Sequence, residues 1–353
     1  VLNLITAYGM LISFALQGYA MYSIIFSTAS ILVSYWFAFS VYPLIKESNI
    51  HAVTKKYFYA ALLFNVISSL GPFSLAFMMV SHSANQDYLM GAVFYYLHFQ
   101  YNGWFLFVIL GTLNEHIAKQ TENFDFNRNF NVLIVAAVMT LFLSLPWIDK
   151  QNMLGIVLFA IVIMQLLVFI SFLRNTKEGN GPPLILNSRI KIPIKSIFTF
   201  AILIKGVLQI LILVPSLDQY AFGIRPVIIA YLHLVLIGVV SFYIFHYLIK
   251  ERIMLMSKKL NKGLLIFLGG FILNEIVLVL QGLSWLNIVG LPLTNESLFL
   301  AAIMMFSGLI VVTTSIIKKS VSGKNKWNFY FNRSRDFPAH DNFNRPYKET
   351  WNN

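Results

Sequence analysis

Long apolar runs separated by short polar stretches make up most of this chain. Each run is continuous for roughly 20 residues, which is the length an α-helix needs to cross the hydrocarbon core of a bilayer. The pattern predicts about ten spans, at roughly 1–20, 22–45, 57–80, 89–113, 131–148, 152–173, 196–214, 226–248, 263–283 and 296–317. The predicted fold class is therefore all-α, a polytopic transmembrane helical bundle.

Two proline dipeptides interrupt this pattern. Gly71-Pro72 lies within the third span and Leu145-Pro146 lies near the end of the fifth. Proline lacks the backbone N–H and collides with the carbonyl four residues earlier, so we expect each dipeptide to kink or end its helix.

The basic residues alternate between successive connections. The connections after spans two, four, six and eight carry Lys46, Lys55, Lys56, Lys119, Arg128, Arg174, Lys177, Arg189, Lys191, Lys195, Lys250, Arg252, Lys258, Lys259 and Lys262. The opposite connections carry only Lys150 and Arg225. Because lysine and arginine accumulate in cytoplasmic loops, this alternation predicts ten spans with both termini of the sequence in the cytoplasm.

The composition agrees with a membrane protein. Hydrophobic residues make up 58% of the 353 residues, charged residues make up 11%, and the mean hydropathy is +0.71. The net charge of +12 follows from the basic connections, so it predicts no nucleic-acid partner. Absence of cysteine excludes disulfides, thiolate metal sites, iron–sulfur clusters and covalently attached c-type haem.

The domain prediction is one transmembrane domain over residues 1–317 and a tail over 318–353. The glycine-proline stretch Gly179–Pro183 is a flexible break that suggests two helical halves, 1–173 and 196–317. The tail is basic and rich in aromatic residues, and we expect it to lie in the cytoplasm and to dock against this chain or another. Because Val1 already lies inside an apolar run, we also expect further residues upstream.

A repeated motif, Tyr-Leu-His-x-x-x-x-Gly, places His98 in span four and His233 in span eight. Both even-numbered spans run inward, so the two histidines lie at one depth, about 10–14 Å below the outer surface at 1.5 Å per residue. A polar side chain at that depth is costly unless it is paired, and it is a functional-site candidate by default. The glycines of the motif, Gly103 and Gly238, allow close approach of a helix or a flat cofactor.

The residues around the motifs indicate a metal or haem site, with alternatives. Tyr101 and Asn102 share the helical face of His98, and Tyr231 is the polar residue nearest His233. One interpretation makes both histidines ligands with neighbouring donors that fix the imidazole tautomer. The alternative for His98 is a buried histidine bonded to a neighbouring helix. For His233 the alternatives are a structural hydrogen bond or a proton relay.

Two charged residues lie at mid to outer depth in the membrane, Lys205 in span seven and Glu275 in span nine. One interpretation is a direct ion pair, which would neutralise both charges. The other makes Glu275 a proton carrier and the pair a proton or charge relay. Gln209, one turn beyond Lys205, adds polarity, whereas His51, His82, His116, His246 and His340 are weaker candidates because of their positions.

The two motifs and the topology resemble the catalytic subunit of haem–copper oxidases and nitric oxide reductases, or smaller haem- and copper-binding relatives. That family carries its histidines on helices spaced by four, in the outer part of the membrane. This chain has no adjacent histidine pair in spans five and six. The stretch Tyr-Leu-His-Phe-Gln-Tyr-Asn-Gly-Trp also resembles one in uncharacterised membrane proteins of Bacteroidetes-type bacteria.

The resemblance implies a multi-pass protein of the bacterial inner membrane that binds haem b or copper through His98 and His233. Electron transfer, metal handling or an accessory role in a multi-subunit respiratory complex would follow, with lipid and other membrane subunits as partners. No catalytic residues are predicted. The alternatives are a proton-coupled transporter or channel centred on Glu275 and Lys205, and a purely structural membrane subunit.

Overall fold

The structure, a computed structural model, describes residues 1–18, 20–81, 85–121, 124–145, 147–176, 193–285 and 294–322. Helices account for 88% of these residues, and none of them forms a strand. The loop around Gly179–Pro183, the tail beyond Ser322, His82 and His340 lie outside the described residues.

The first part of the chain forms eight α-helices. They are α1 (Leu2–Gln17), α2 (Met21–Glu47), α3 (Ala52–Ser68), α4 (Leu70–Val80), α5 (Gln86–His98), α6 (Leu106–Ala118), α7 (Phe126–Met139) and α8 (Met153–Asn175). A π-helical segment, π1 (Phe99–Phe105), joins α5 to α6, and a 3₁₀ turn (Thr140–Ser144) extends α7.

The second part of the chain contains the remaining elements. They are α9 (Ile194–Leu211), α10 (Pro215–Gly223), α11 (Arg225–His233), a second π-helical segment π2 (Leu234–Ser241), α12 (Phe242–Lys250), α13 (Lys258–Trp285) and α14 (Thr294–Ser322). Helix is the expected conformation, because the bilayer core offers no water to satisfy backbone N–H and C=O groups.

Eight helices of the described chain are long and apolar enough to cross a membrane, so the protein is a multi-pass helical membrane protein as predicted. α1 has 16 residues, fewer than a full crossing needs. The continuous helical segment Gln86–Ala118, which consists of α5, π1 and α6 and contains the first histidine motif, is not among the eight. The exact number of crossings and the side of each terminus stay predictions.

Both proline effects are confirmed. Helix α3 ends at Ser68, four residues before Pro72, and α4 begins at Leu70. At the end of span five, Leu145 has φ −103° and ψ 112°, the extended conformation that a following proline imposes.

The longest helical contact joins α13 to α14 through glycines. A Cβ added at Gly270 would lie 2.8 Å from the backbone nitrogen of Met305 and 2.9 Å from the carbonyl oxygen of Ala301. A Cβ at Gly308 would lie 2.6 Å from the backbone nitrogen of Phe267. The two backbones therefore touch, as in membrane helix pairs that associate through small residues.

Single cysteines will report the orientation, because the sequence has none of its own. Exposed positions Gln151 and Arg225 flank the connections predicted to lie outside, and exposed Lys119 and Lys258 lie on the predicted cytoplasmic side. With an impermeant maleimide applied to whole cells, cysteines at the first two positions will label and those at the last two will label after lysis only. Labelling of the Lys119 or Lys258 position in intact cells would contradict the predicted orientation.

Candidate functional site

Each histidine motif marks the place where an α-helix becomes a π-helical segment. α5 ends at His98 and π1 follows at once, and α11 ends at His233 and π2 follows at once. Single π-turns in α-helices are rare and occur often at functional sites. The repeated sequence is thus also a repeated backbone feature, which the hydrophobic pattern did not predict.

The glycines of the motifs pack against neighbouring helices. A Cβ at Gly103 would lie 2.5 Å from the Cβ of Phe64 on α3. A Cβ at Gly238 would lie 3.1 Å from the Cβ of Ala201 on α9 and 3.0 Å from the ring of Phe271 on α13. The prediction of close approach is confirmed, and in both cases the neighbour is a helix.

The two π-helical segments contact each other in the centre of the bundle. Tyr101 of π1 and Tyr231, three residues before the first residue of π2, meet edge to face with ring centroids 5.8 Å apart. The two motifs therefore come together, and the contact is made by the tyrosines.

His98 is fully enclosed, with 1% of its surface exposed. Its Nε2–H donates to the carbonyl oxygen of Ala137 at 2.8 Å. Its Nδ1 accepts from the Asn102 amide at 3.2 Å and from the Ser144 hydroxyl at 3.1 Å. These bonds fix the tautomer with the proton on Nε2 and tie π1 to α7 and its 3₁₀ turn.

His98 therefore does not fit the predicted role of a metal or haem ligand. A ligating imidazole needs a nitrogen whose lone pair is free, and here one nitrogen donates its proton while the other receives two donors. In the described part of the chain, no group of three or more histidine, aspartate or glutamate side chains is placed to hold a metal ion. The geometry is that of the alternative prediction for His98, a buried histidine bonded to a neighbouring helix.

His233 has a different partner and a more open setting. Its Nδ1 accepts from the side-chain amide of Asn274 on α13 at 2.8 Å. The same Asn274 amide nitrogen donates to Glu275 Oε1 at 3.1 Å. Asn274 is buried, whereas His233 and Glu275 are half-buried. The asparagine thus connects an imidazole to a carboxylate within the membrane-spanning part of the bundle.

Lys205 lies on the buried face of α9. It is 1% exposed, and its Nζ donates at 3.1 Å to the Oε1 of Gln209, the polar residue one turn beyond it. The predicted ion pair with Glu275 is wrong, because no salt bridge joins the two described side chains. The reason is their placement: Lys205 is enclosed on α9, and Glu275 lies half-buried on α13, bonded through its neighbour Asn274.

Sequence reasoning missed a second polar contact of π1. Gln100 donates to Asn65 Oδ1 at 3.1 Å and to the Ser68 hydroxyl at 2.7 Å, both on α3. The sequence did contain a signal for this contact, because Asn65 and Ser68 are polar residues within the otherwise apolar third span. Together with the bonds of His98, it holds π1 on two sides.

The remaining histidines lie apart from this cluster. His51 caps α3, with its Nδ1 accepting from the Val53 backbone at 3.3 Å. The His246 ring packs against the Phe198 and Tyr243 rings near the inner end of α12. Neither imidazole extends the polar cluster around π1 and π2.

Comparison with known proteins finds no matching family model, no significantly similar curated protein and no significantly similar solved structure.

Proposed function

We propose that the protein is a proton-coupled transporter or channel of the bacterial inner membrane, with its pathway at the contact between π1 and π2. The observation that carries the proposal is that Lys205 and Glu275, two ionisable residues inside membrane-spanning helices, form no ion pair with each other or with any other side chain that the structure describes. A charge inside a membrane that no opposite charge neutralises is expensive to maintain, and such residues commonly serve ion pathways and proton relays.

The repeated architecture supports this proposal. The two spans that contain π1 and π2 are predicted to run in the same direction, four spans apart. The segments π1 and π2 contact each other inside the bundle. Many transporters consist of two repeats, with the substrate and coupling-ion sites at the repeat interface. An interrupted helix at such an interface supplies the local backbone freedom that opening and closing of a pathway requires.

The polar residues divide into two groups with different exposure. The His98–Asn102 group and Lys205 are enclosed, whereas His233, Asn274 and Glu275 form a bonded chain that reaches a half-exposed carboxylate. The half-exposed Glu275 carboxylate is the group that takes up and releases the proton, and the Asn274 amide, which donates to both Glu275 and His233, holds these two acceptors in place. Lys205 is the enclosed ionisable group. The alternation of basic residues supports ten crossings with cytoplasmic termini for this carrier.

Proton movement in liposomes tests the proposal. The full chain is reconstituted with a trapped pH-sensitive dye, and an inward proton gradient is applied with a panel of amino acids, sugars and small organic acids. Wild-type protein will acidify the lumen with at least one solute, and Glu275→Gln and Lys205→Met will each lower that rate about tenfold or more, because each removes an intramembrane charge.

Glu296→Gln is the matched control, because Glu296 is exposed near the start of α14 and its loss should leave the rate unchanged. Wild-type liposomes that acidify no faster than empty liposomes across the panel would overturn the proposed function. Equal rates for Glu275→Gln and wild type would remove Glu275 from the pathway.

A further inference from the structure

The ends of α6, α9 and α12 that are predicted to lie in the cytoplasm meet around His246. Between ring centroids, the Phe198 ring of α9 lies 5.5 Å from the half-buried His246 ring, and the Tyr243 ring lies 6.5 Å from it. The Tyr243 hydroxyl is bonded to the hydroxyl of Thr112 on α6. Three helices therefore pack against one another near this imidazole.

Basic side chains lie next to these contacts on each of the three helices. They are Lys195 in the first turn of α9, Lys250 at the end of α12 and His116 in the last turn of α6. Each is three or four residues from a residue that makes the contacts above, and each is close enough to His246 to act on it electrostatically. We call these three residues and His246 the basic cluster.

The carboxylates next to the cluster in sequence are Glu115 and Glu251. Glu115 pairs with Lys119 at 3.2 Å, and it accepts a backbone N–H from the start of α3 at 2.9 Å. Glu251 is exposed. None of the carboxylates that the structure describes forms a salt bridge with Lys195 or His246. The positive charge of the cluster is therefore not neutralised by these carboxylates.

Lys195 and His246 retain bonding capacity. The Lys195 Nζ donates to the Thr176 carbonyl at 2.6 Å, which uses one of its three N–H groups. Within the described part of the chain, the ring nitrogens of His246 take part in no hydrogen bond. Positive groups held together in a half-buried place repel one another. An anion with several acceptor oxygens would neutralise this charge and accept from these donors.

The side of α12 that leads to the cluster faces lipid. Ile244, Tyr247 and Lys250 follow one another at spacings of three on this helix. Ile244 is 47% exposed and Tyr247 is 38% exposed within a membrane-spanning segment, so both contact acyl chains. Lys250 is the last residue of this segment, at the depth of the lipid head groups. A ligand that fits here has an apolar part along α12 and an anionic part at its end.

Basic pockets between transmembrane helices on the cytoplasmic side bind anionic lipid head groups. We propose that the basic cluster binds the phosphate of an anionic phospholipid in the cytoplasmic leaflet. Lys195 and His246 contact the phosphate oxygens, and Lys250 and His116 add positive charge around them. This inference goes beyond the proposed function, since it involves neither a transported solute nor a proton gradient.

Native mass spectrometry of the purified full chain tests the inference, because it resolves each bound lipid molecule by mass. Dioleoylphosphatidylglycerol and dioleoylphosphatidylcholine carry the same acyl chains, but only the former has a net negative charge. Its first molecule should bind about tenfold more tightly than the first molecule of dioleoylphosphatidylcholine, since lysines near the membrane surface attract anionic lipid. Inorganic phosphate in excess should leave this binding unchanged, because it has no apolar part to place along α12.

Variants then locate the binding. Lys195→Gln combined with Lys250→Gln should lower the affinity for dioleoylphosphatidylglycerol about tenfold or more and leave that for dioleoylphosphatidylcholine unchanged. His246→Gln, which removes the imidazole and keeps a polar side chain, should lower the former affinity about threefold. Lys46→Gln combined with Lys55→Gln is the matched control. It removes the same charge on the same predicted side, at the α2–α3 connection, where Lys55 Nζ donates to the Lys46 carbonyl. It should leave both affinities unchanged.

Equal binding of the two lipids to wild-type protein would overturn the inference. Equal losses in the two double variants would also overturn it, because they would show attraction to the charge of the whole chain. Displacement of the lipid by inorganic phosphate would assign the cluster to free phosphate, and wild-type affinity in His246→Gln would remove the imidazole contact. If a variant does not fold, the two lipids and inorganic phosphate on wild-type protein still decide.

Discussion

Replacing His98 with alanine will destabilise the protein by about 3 kcal/mol or more, because three polar groups lose their partner inside the bundle. The imidazole receives the Asn102 amide and the Ser144 hydroxyl, and it donates to the carbonyl of Ala137. Removing it leaves the buried Asn102 amide, the buried Ala137 carbonyl and the half-buried Ser144 hydroxyl without this partner, together with an unfilled volume. Unfolding in a titration of sodium dodecyl sulfate, followed by circular dichroism, measures the loss.

His233→Ala is the matched comparison, since it removes the histidine at the equivalent position of the repeated motif. His233 is half-buried and accepts one bond from Asn274, so the expected loss is about 1 kcal/mol. Equal losses for the two variants would contradict the hydrogen-bonded role of His98. A Soret band or stoichiometric copper in wild-type protein that disappears in both variants would restore the haem or copper hypothesis.

Replacing Gly270 with valine will separate α13 from α14 and cost at least about 3 kcal/mol, at the upper end of overpacking penalties. The first added carbon already lies 2.8 Å from the Met305 backbone nitrogen and 2.9 Å from the Ala301 carbonyl oxygen. Backbone cannot move aside as a flexible side chain can, so the helices must part. Thermal unfolding of the detergent-purified protein measures the change.

Gly269→Val is the control from the neighbouring residue. The nearest atom to a Cβ at Gly269 is the Cε of Met304, at 3.5 Å, and it ends a flexible side chain. We expect at most a small change in the unfolding temperature. A Gly269→Val variant as unstable as Gly270→Val would show that helix propensity, and not backbone contact, determines the effect.

Much of the fold follows from the sequence alone. Apolar runs of membrane-spanning length located the helices, because lipid leaves the backbone no alternative to internal hydrogen bonds. Pro72 and Pro146 located a helix break and a helix end, because their effect on the preceding residues is steric and local. The 16-residue length of α1 was less predictable, since the turn at Gly18, with φ 64°, ends it early.

The sequence indicated which residues belong to the candidate site, but it did not indicate the hydrogen bonds that these residues make. The repeated motif placed His98 and His233 at one depth by counting residues, but it did not predict that Tyr101 and Tyr231 make the contact between the two motifs. It could not show that His98 bonds to the Ala137 carbonyl, since any residue can supply a carbonyl. The ion pair between Lys205 and Glu275 was predicted from their similar depth alone. The direction in which each side chain points around its helix decides that contact, and depth does not give this direction.

The π-helical segments change how the sequence beyond them must be aligned with structure. In an α-helix each residue advances the azimuth by about 100°, so a face can be followed with a single angular step. A π-helical segment uses wider turns, and it shifts the phase of every residue that follows. Deleting one residue from π1 would make the helix α-helical throughout from α5 to α6, and it would rotate α6 by about 100° against α3. Insertions and deletions at these two places are therefore changes of azimuth, and a helical wheel drawn through either segment assigns the wrong face.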